Sequence, residues 1–255
     1  MSRIGFVAGN SDKEICDEIL KISKLPNLYV EGIFSHFATS DEKDQSYTKM
    51  QFNAFLAVCD LLKEKGLDIP IRHIANSAAI MMYPETHLDM VRAGIILYGF
   101  YPSNEVNKDK LKLRRVMTLK SRITLIKEIE NRGVSYGKTY IAHNKTKIAT
   151  IPVGYADGYT RMLNGKAKIL ANNTPVDVIG KICMDQCMID VTNVHNINTG
   201  DEVIIFGDET ITADTLANWL DTINYEIVCM ISKRIPRIFI KDGRTVKTLN
   251  YLSKL

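Results

Sequence analysis

The sequence predicts an α/β fold followed by a β fold: part of a (β/α)8, TIM-type barrel over residues 1–112, then a mostly β domain over residues 113–255. Two observations predict this order. Through the first hundred residues, apolar runs of strand length alternate with helical periodicity, and polar candidates gather at the C-terminal ends of those runs, where such barrels build their sites. Beyond residue 113, short apolar runs follow one another, separated by Gly, Asn and Asp turns.

Ser11-Asp12-Lys13-Glu14 reads as a capping box opening a helix whose apolar face carries Ile15, Ile19, Leu20 and Ile22. Residues 28–37 form the first strand, rich in β-branched and aromatic side chains. A longer helix covers 44–65, with Tyr47, Met50, Phe55, Val58, Leu61 and Leu62 inward and Gly66 as its stop. Residues 71–75 form the second strand, and Asn76-Ser77 starts a helix that Pro84 cuts. Residues 90–98 are expected as a third strand, an apolar run interrupted by Arg92. The order implies parallel strands joined by right-handed crossovers, and three strands fall short of the eight that close a barrel. In the second half, strands are expected at 116–130, 147–153, 167–171, 176–179, 188–191 and 202–206, with a helix at 213–220.

Composition excludes several function classes. Hydrophobic residues at 45% and charged residues at 24% are ordinary for a globular chain, and a net charge of +4 without a compact basic face argues against nucleic-acid binding. No apolar run is long enough to span a membrane, and residues 1–20 lack a signal peptide's pattern, so a cytoplasmic protein is expected. Five scattered cysteines suit free thiols in a reducing compartment. Cys183 and Cys187 lack the partners of a zinc site, so no metal is expected.

Several residues invite chemistry, each with a plainer reading beside it. Arg92 cannot shed its proton and needs an acceptor; a structural ion pair would serve. His73 holds Arg92 in place or is a satisfied core histidine, and His36 faces the same mouth or is a capping or core histidine. Asn76, Ser77, Gly94 and Ile95 read as a phosphate cradle, with free N–H groups at a helix start and close backbone approach at Gly94, or as plain capping. Arg3 suits a carboxylate or is a solvated arginine. Tyr136 reads as a turn tyrosine beside Gly137; a free tyrosine titrates near ~10, so acting as a base near neutrality would need neighbouring cations. Tyr155 reads as a packed aromatic and Asp185 as a solvated turn carboxylate.

Eight strings stand in order: Met1-Ser2-Arg3-Ile4-Gly5, Ser35-His36-Phe37-Ala38, His73-Ile74-Ala75-Asn76-Ser77-Ala78, Val91-Arg92-Ala93-Gly94-Ile95 (with Tyr98-Gly99), Val134-Ser135-Tyr136-Gly137, Pro152-Val153-Gly154-Tyr155-Ala156-Asp157-Gly158, Gly180-Lys181-Ile182-Cys183-Met184-Asp185 and Asn224-Tyr225-Glu226. In this order and spacing they resemble the motif set of the alanine racemases, from the first residue to Phe239. The resemblance implies a fold type III isomerase using pyridoxal 5′-phosphate. It implies interconversion of L- and D-alanine by two-base proton transfer, D-alanine supply for peptidoglycan, and a homodimer with shared active sites. Arg92 would partner the cofactor's pyridine nitrogen, with His73 holding Arg92 and His36 against the ring. Asn76, Ser77, Gly94, Ile95 and Tyr225 would hold the phosphate. Arg3 would meet the cofactor's phenolic oxygen and the substrate carboxylate. Tyr136, reaching in from a second subunit and linked through His36 to Arg92, would be one base. The Met184 N–H would bind the substrate carboxylate, and Tyr155 and Asp185 would line the entrance.

The sequence departs from this pattern in one respect. The family's second base and cofactor anchor is a lysine in a stretch ending Ala-Tyr-Gly-His-Gly, and no such string occurs here. The chain is therefore expected to be the C-terminal two-thirds of the family's protein, incomplete and inactive alone. A serine or broad-specificity amino-acid racemase, a non-catalytic cofactor carrier or remnant, and a dimerisation module are the alternatives.

Overall fold

The computed structural model describes residues 1–9 and 11–254, which divide into two units, 1–115 and 116–255. The first unit is built around α1 (Asp12–Ser23), β1 (Gly32–Phe34), α2 (Ser46–Glu64), β2 (Ile71–His73) and α3 (Ser77–Met82). β1 and β2 pair in parallel, with Phe34 opposite His73. Parallel pairing needs a crossover, and α2 supplies it. One side of α2 packs Phe55 and Cys59 against Phe37, Ile74 and Ala79. Val58 and Leu62 meet Ile15, Cys16 and Ile69, which ties α1 to the same core.

Three local expectations are corrected. Ser11 makes no side-chain cap; the Asp12 carboxylate accepts from the Gly9 N–H at 2.7 Å, so the acidic residue one place later orders the helix start. Residues 90–98 are not a strand. The segment touches β2's flank through Asp89 N–H to Arg72 O (3.2 Å) and Arg92 N–H to Ala75 O (3.0 Å), then closes into a 3-10 turn at Ile95–Tyr98. Apolar runs of this length do not by themselves distinguish strand from helical turn, and the left-handed Gly99 (φ 79°) closes this one. Residues 116–130 are also not one uninterrupted strand.

In the second unit, that stretch forms β3 (Leu119–Arg122) and β4 (Leu125–Ile129). β5 (Arg132–Val134) and β6 (Tyr140–Ala142) make a small hairpin, followed by β7 (Thr146–Ile151), β8 (Lys168–Ala171), β9 (Thr174–Ile179), β10 (Cys187–Asp190) and β11 (Glu202–Phe206). Two short helices, α4 (Ala213–Leu220) and α5 (Asn224–Met230), precede a terminal hairpin of β12 (Arg237–Lys241) and β13 (Arg244–Leu249). α5 and this hairpin had no counterpart among the sequence expectations. The main sheet is antiparallel in the order β3-β11-β8-β9-β10-β7-β4. β3 and β4 are separated by two residues yet stand at opposite ends of that order. The sheet therefore curls so that its two edge strands adjoin at Ile123-Thr124: Ile123 N–H bonds Asp201 O just before β11, the neighbour of β3, and Thr124 N–H bonds Thr150 O in β7, the neighbour of β4. Ile123, Ile151, Ile169, Ile189 and Phe206 fill the interior and are all but sealed from solvent. The first unit thus supplies part of a (β/α) barrel and the second a mostly β domain.

Candidate active site

Arg92 sits where the three segments of the first unit converge. Its Nη1 donates to His73 Nδ1 at 2.5 Å and to His73 O at 3.2 Å. Its Nη2 reaches Ser35 O at 2.7 Å, His36 Nδ1 at 3.2 Å and Ile74 O at 3.4 Å. Among the described residues no carboxylate lies within ion-pair distance, so Arg92 is satisfied by carbonyls and imidazoles rather than by a structural ion pair. Guanidinium has only donors, so both Nδ1 atoms accept and each imidazole keeps its proton on Nε2. Burial, then the Arg92 charge, pushes His73 below its ordinary range; burial, then Arg92 and Arg3, does the same for His36. Both rings are held neutral. Phe34 stacks on His73 at 5.4 Å between centroids, and the Arg92 guanidinium stands 5.5 Å over the Phe34 ring. Arg3 is exposed, close enough for its charge to act on His36 and Arg92.

A second group adjoins α3. Asn76 caps it, its Oδ1 accepting from Ala79 N–H at 3.1 Å and from the buried Ser40 hydroxyl at 2.9 Å. Ser77 is the first helical residue, and its Oγ accepts from Gly94 N–H at 2.9 Å, leaving the hydroxyl proton to donate elsewhere. The N–H groups of Ile95 and Ile96 open the next turn and have no acceptor among the described residues. A Cβ at Gly94 would come 3.4 Å from Ser77 Oγ, filling the space over these donors. One hydroxyl and two N–H groups without acceptors among the described residues stand together here, a donor set whose chemistry suits an anion such as a phosphate monoester. Gln51, on α2, fixes the neighbouring loop by accepting from Ala38 N–H at 2.9 Å.

The second unit holds Tyr136, Tyr155, Met184, Asp185 and Tyr225, the first four on interlocked loops. Ser135 (φ 62°) donates its hydroxyl to Lys181 O at 2.6 Å, binding the Tyr136 turn to the 180–185 loop. Gly154 lies so close to that loop that a Cβ would stand 2.2 Å from Cys183 O, and Tyr155 and Ala156 donate their N–H groups to Cys183 O and Met184 O. Arg234 joins the loops from below: Nε pairs with buried Asp157 at 2.9 Å and Nη2 with Asp185 at 2.8 Å. Tyr136 is two-thirds exposed, and the Met184 N–H has no acceptor among the described residues. Tyr225 lies in α5.

Sequence reasoning missed Ser40, Gln51, Asp157 and Arg234 as supports. Asp157 stood inside a quoted string, but nothing in spacing links 157, 185 and 234.

Residues 1–102 match the sequence model of the alanine racemase N-terminal domain, and residues 116–239 that of the alanine racemase C-terminal domain. The chain belongs to the alanine racemase family. Family members are pyridoxal-phosphate-dependent isomerases. The alanine racemase of Clostridium tetani is 54% identical over 257 residues, and alanine racemase 1 of Clostridium acetobutylicum 53% over 256. Each alignment covers 99% of this chain and 66% of the relative, so the chain spans about two-thirds of their length. Among solved structures, alanine racemase of Clostridium difficile 630 superposes with a TM-score of 0.94 at 47% identity, over 99% of this chain and 65% of that one. The Bacillus anthracis enzyme, solved with bound L-Ala-P, gives 0.92 at 38% identity, over 100% of this chain and 66% of its own.

Proposed function

We propose that these residues are the cofactor- and substrate-handling part of an alanine racemase that interconverts L- and D-alanine on pyridoxal 5′-phosphate. The observation that carries this reading is Arg92. It is a permanent cation without a carboxylate, locked by two neutral histidines beside an anion cradle, and its Nε has no partner among the described residues.

Bound pyridoxal 5′-phosphate withdraws electrons from the α-carbon of an attached amino acid and makes its proton removable. Ser77, the Ile95 N–H, Asn76 and Gly94 would hold the phosphate, with Tyr225 adding a hydroxyl. Arg92 would offer Nε–H to the ring nitrogen. A guanidinium has no proton to spare, so Arg92 would leave that nitrogen unprotonated and temper the electron withdrawal the cofactor supplies, which would favour returning a proton over side reactions. His36 would stand against the ring, with Nδ1 held by Arg92 and Nε2–H free to stabilise the phenolate of Tyr136 from a second copy of the chain. Tyr136 would then move the α-proton on one face. The Met184 N–H and Arg3 would hold the substrate carboxylate, and Tyr155 and Asp185 would border the entrance. The setting is a cytoplasmic homodimer supplying D-alanine for peptidoglycan.

Titration of the purified chain with pyridoxal 5′-phosphate tests the reading. Saturable binding, competed by inorganic phosphate and weakened by Ser77→Ala, is expected; binding indifferent to both would overturn it. No lysine here matches the family's anchor string, so the chain alone should not interconvert alanine enantiomers, and measurable racemisation would refute that part.

A further inference from the structure

Asn164 and Gly165 form the chain's one Asn-Gly pair. They occupy the centre of a tight turn after the 3-10 segment Arg161–Leu163: Asn164 has φ −53° and ψ 127°, Gly165 has φ +70°, and Lys166 N–H bonds Leu163 O at 3.0 Å. This is type II turn geometry, which favours glycine at the second central place. Three features set this asparagine apart. The Gly165 N–H has no acceptor among the described residues. Gly165 carries no side chain to shield that nitrogen, and the space where a Cβ would stand is open for 4 Å around. The Asn164 Oδ1 accepts from the buried Ile182 N–H at 2.8 Å, so a fixed donor points at the oxygen on which charge develops when the side-chain amide is attacked.

We infer that Asn164 is a self-modification site, deamidating through a cyclic imide and loosening the 180–185 loop as the protein ages. Solvent base takes the proton of the Gly165 N–H as that nitrogen bonds to Asn164 Cγ. The resulting oxyanion on Oδ1 is held by Ile182 N–H. The Cγ–Nδ2 bond breaks, Nδ2 gains a proton, and ammonia leaves a five-membered imide. Water then opens either imide carbonyl, giving aspartate or isoaspartate. Gly165 lines a cleft of about 320 Å³, shared with Thr139, Tyr140 and Asp177, that brings water to the turn. Closing the ring requires rotation about the Asn164 ψ and opening of the Lys166–Leu163 bond, and the unencumbered glycine permits both.

The two products differ in consequence. Aspartate keeps an oxygen for Ile182 N–H and makes a charge-assisted bond. Isoaspartate lengthens the main chain by one carbon and draws that oxygen away. Ile182 is fully buried and stands two residues before Met184, so the change reaches the loop that carries Met184 and Asp185. This inference does not rest on racemase activity.

The test is to age the purified chain in mildly alkaline buffer. Tryptic peptides are mapped by mass, isoaspartate is assayed by enzymatic methylation, and hydrogen exchange is followed at Ile182. The peptide covering 162–166 should convert before those containing Asn131, Asn144 or Asn172, with methyl acceptance rising alongside. Gly165→Ala should slow conversion several-fold. Aged protein should exchange the Ile182 amide several-fold faster than fresh protein, while fresh Asn164→Asp should match fresh wild type. Earlier conversion at another asparagine overturns the site, and unchanged Ile182 exchange in fully converted protein overturns the link to the loop.

Discussion

A guanidinium surrounded by carbonyls and two imidazoles makes the protonation of those imidazoles costly. His36 and His73 both titrate below their ordinary 6.5, chiefly through burial and then through Arg92. The unfolded chain therefore binds more protons than the folded one just below pH 6.5. Stability rises with pH through that window and is lost as pH falls through it. The urea midpoint of the first unit should drop between about pH 7.5 and about pH 5.5, and His36→Asn with His73→Asn should flatten that slope. A midpoint insensitive to pH in the wild type would contradict the neutral assignment. Arg92→Lys keeps the charge but loses the planar fork that serves five acceptors at once. It should weaken pyridoxal-phosphate binding about tenfold, a loss of one well-made charged hydrogen bond, as read by titration. Arg92 was visible in the sequence as a charge in an apolar run. His73 and His36 were expected beside it only through the family resemblance, and its carbonyl partners not at all, because main-chain oxygens of Ser35, His73 and Ile74 leave no compositional trace.

At the scale of elements, the loops of the second unit are held by close approach and by one arginine. Gly154→Ala would force a Cβ to 2.2 Å from Cys183 O, and the nearest atoms are main chain of Cys183 and Met184, with no side chain to yield. The expected cost is about 1–3 kcal/mol, read as a lower melting temperature. Arg234→Ala removes the cation from the buried Asp157 carboxylate, which keeps the Gly154 N–H on its other oxygen, and frees Asp185. Because Arg234 is itself partly exposed, water recovers some of the loss, and about 1–2 kcal/mol is expected. Faster amide exchange at residues 183–185 should accompany it; unchanged exchange would mean that the clamp does not hold the loop. Strands β8 to β11 could be read from β-branched runs between turn residues, because burial on one face writes that pattern. α5 could not, since Asn224–Met230 is short, its N-cap Ile223 supplies no side-chain cap, and Asn224 is tied instead to Asp214 ten residues earlier. The run at 90–98 misled for the opposite reason: it is apolar enough for a strand, but Gly94 and Gly99 bend it into a turn.

At the scale of the molecule, the first unit shows a two-stranded parallel sheet in which, among the described residues, β1 is paired on one side only, and Leu28, Tyr29 and Phe34 are exposed nearby. An unpaired edge beside exposed apolar side chains favours pairing with another chain. The purified protein should self-associate as concentration rises, and light scattering showing a monomer throughout would count against this. The seven-stranded order of the second unit meets the problem differently. Its first and last strands are consecutive in the chain, and Ile123-Thr124 fastens one rim to the other. A hoop closed by its own thread is only as sound as the knot. A few glycines spliced between those two residues would leave every strand intact yet let the cylinder spring open, freeing two raw edges at once.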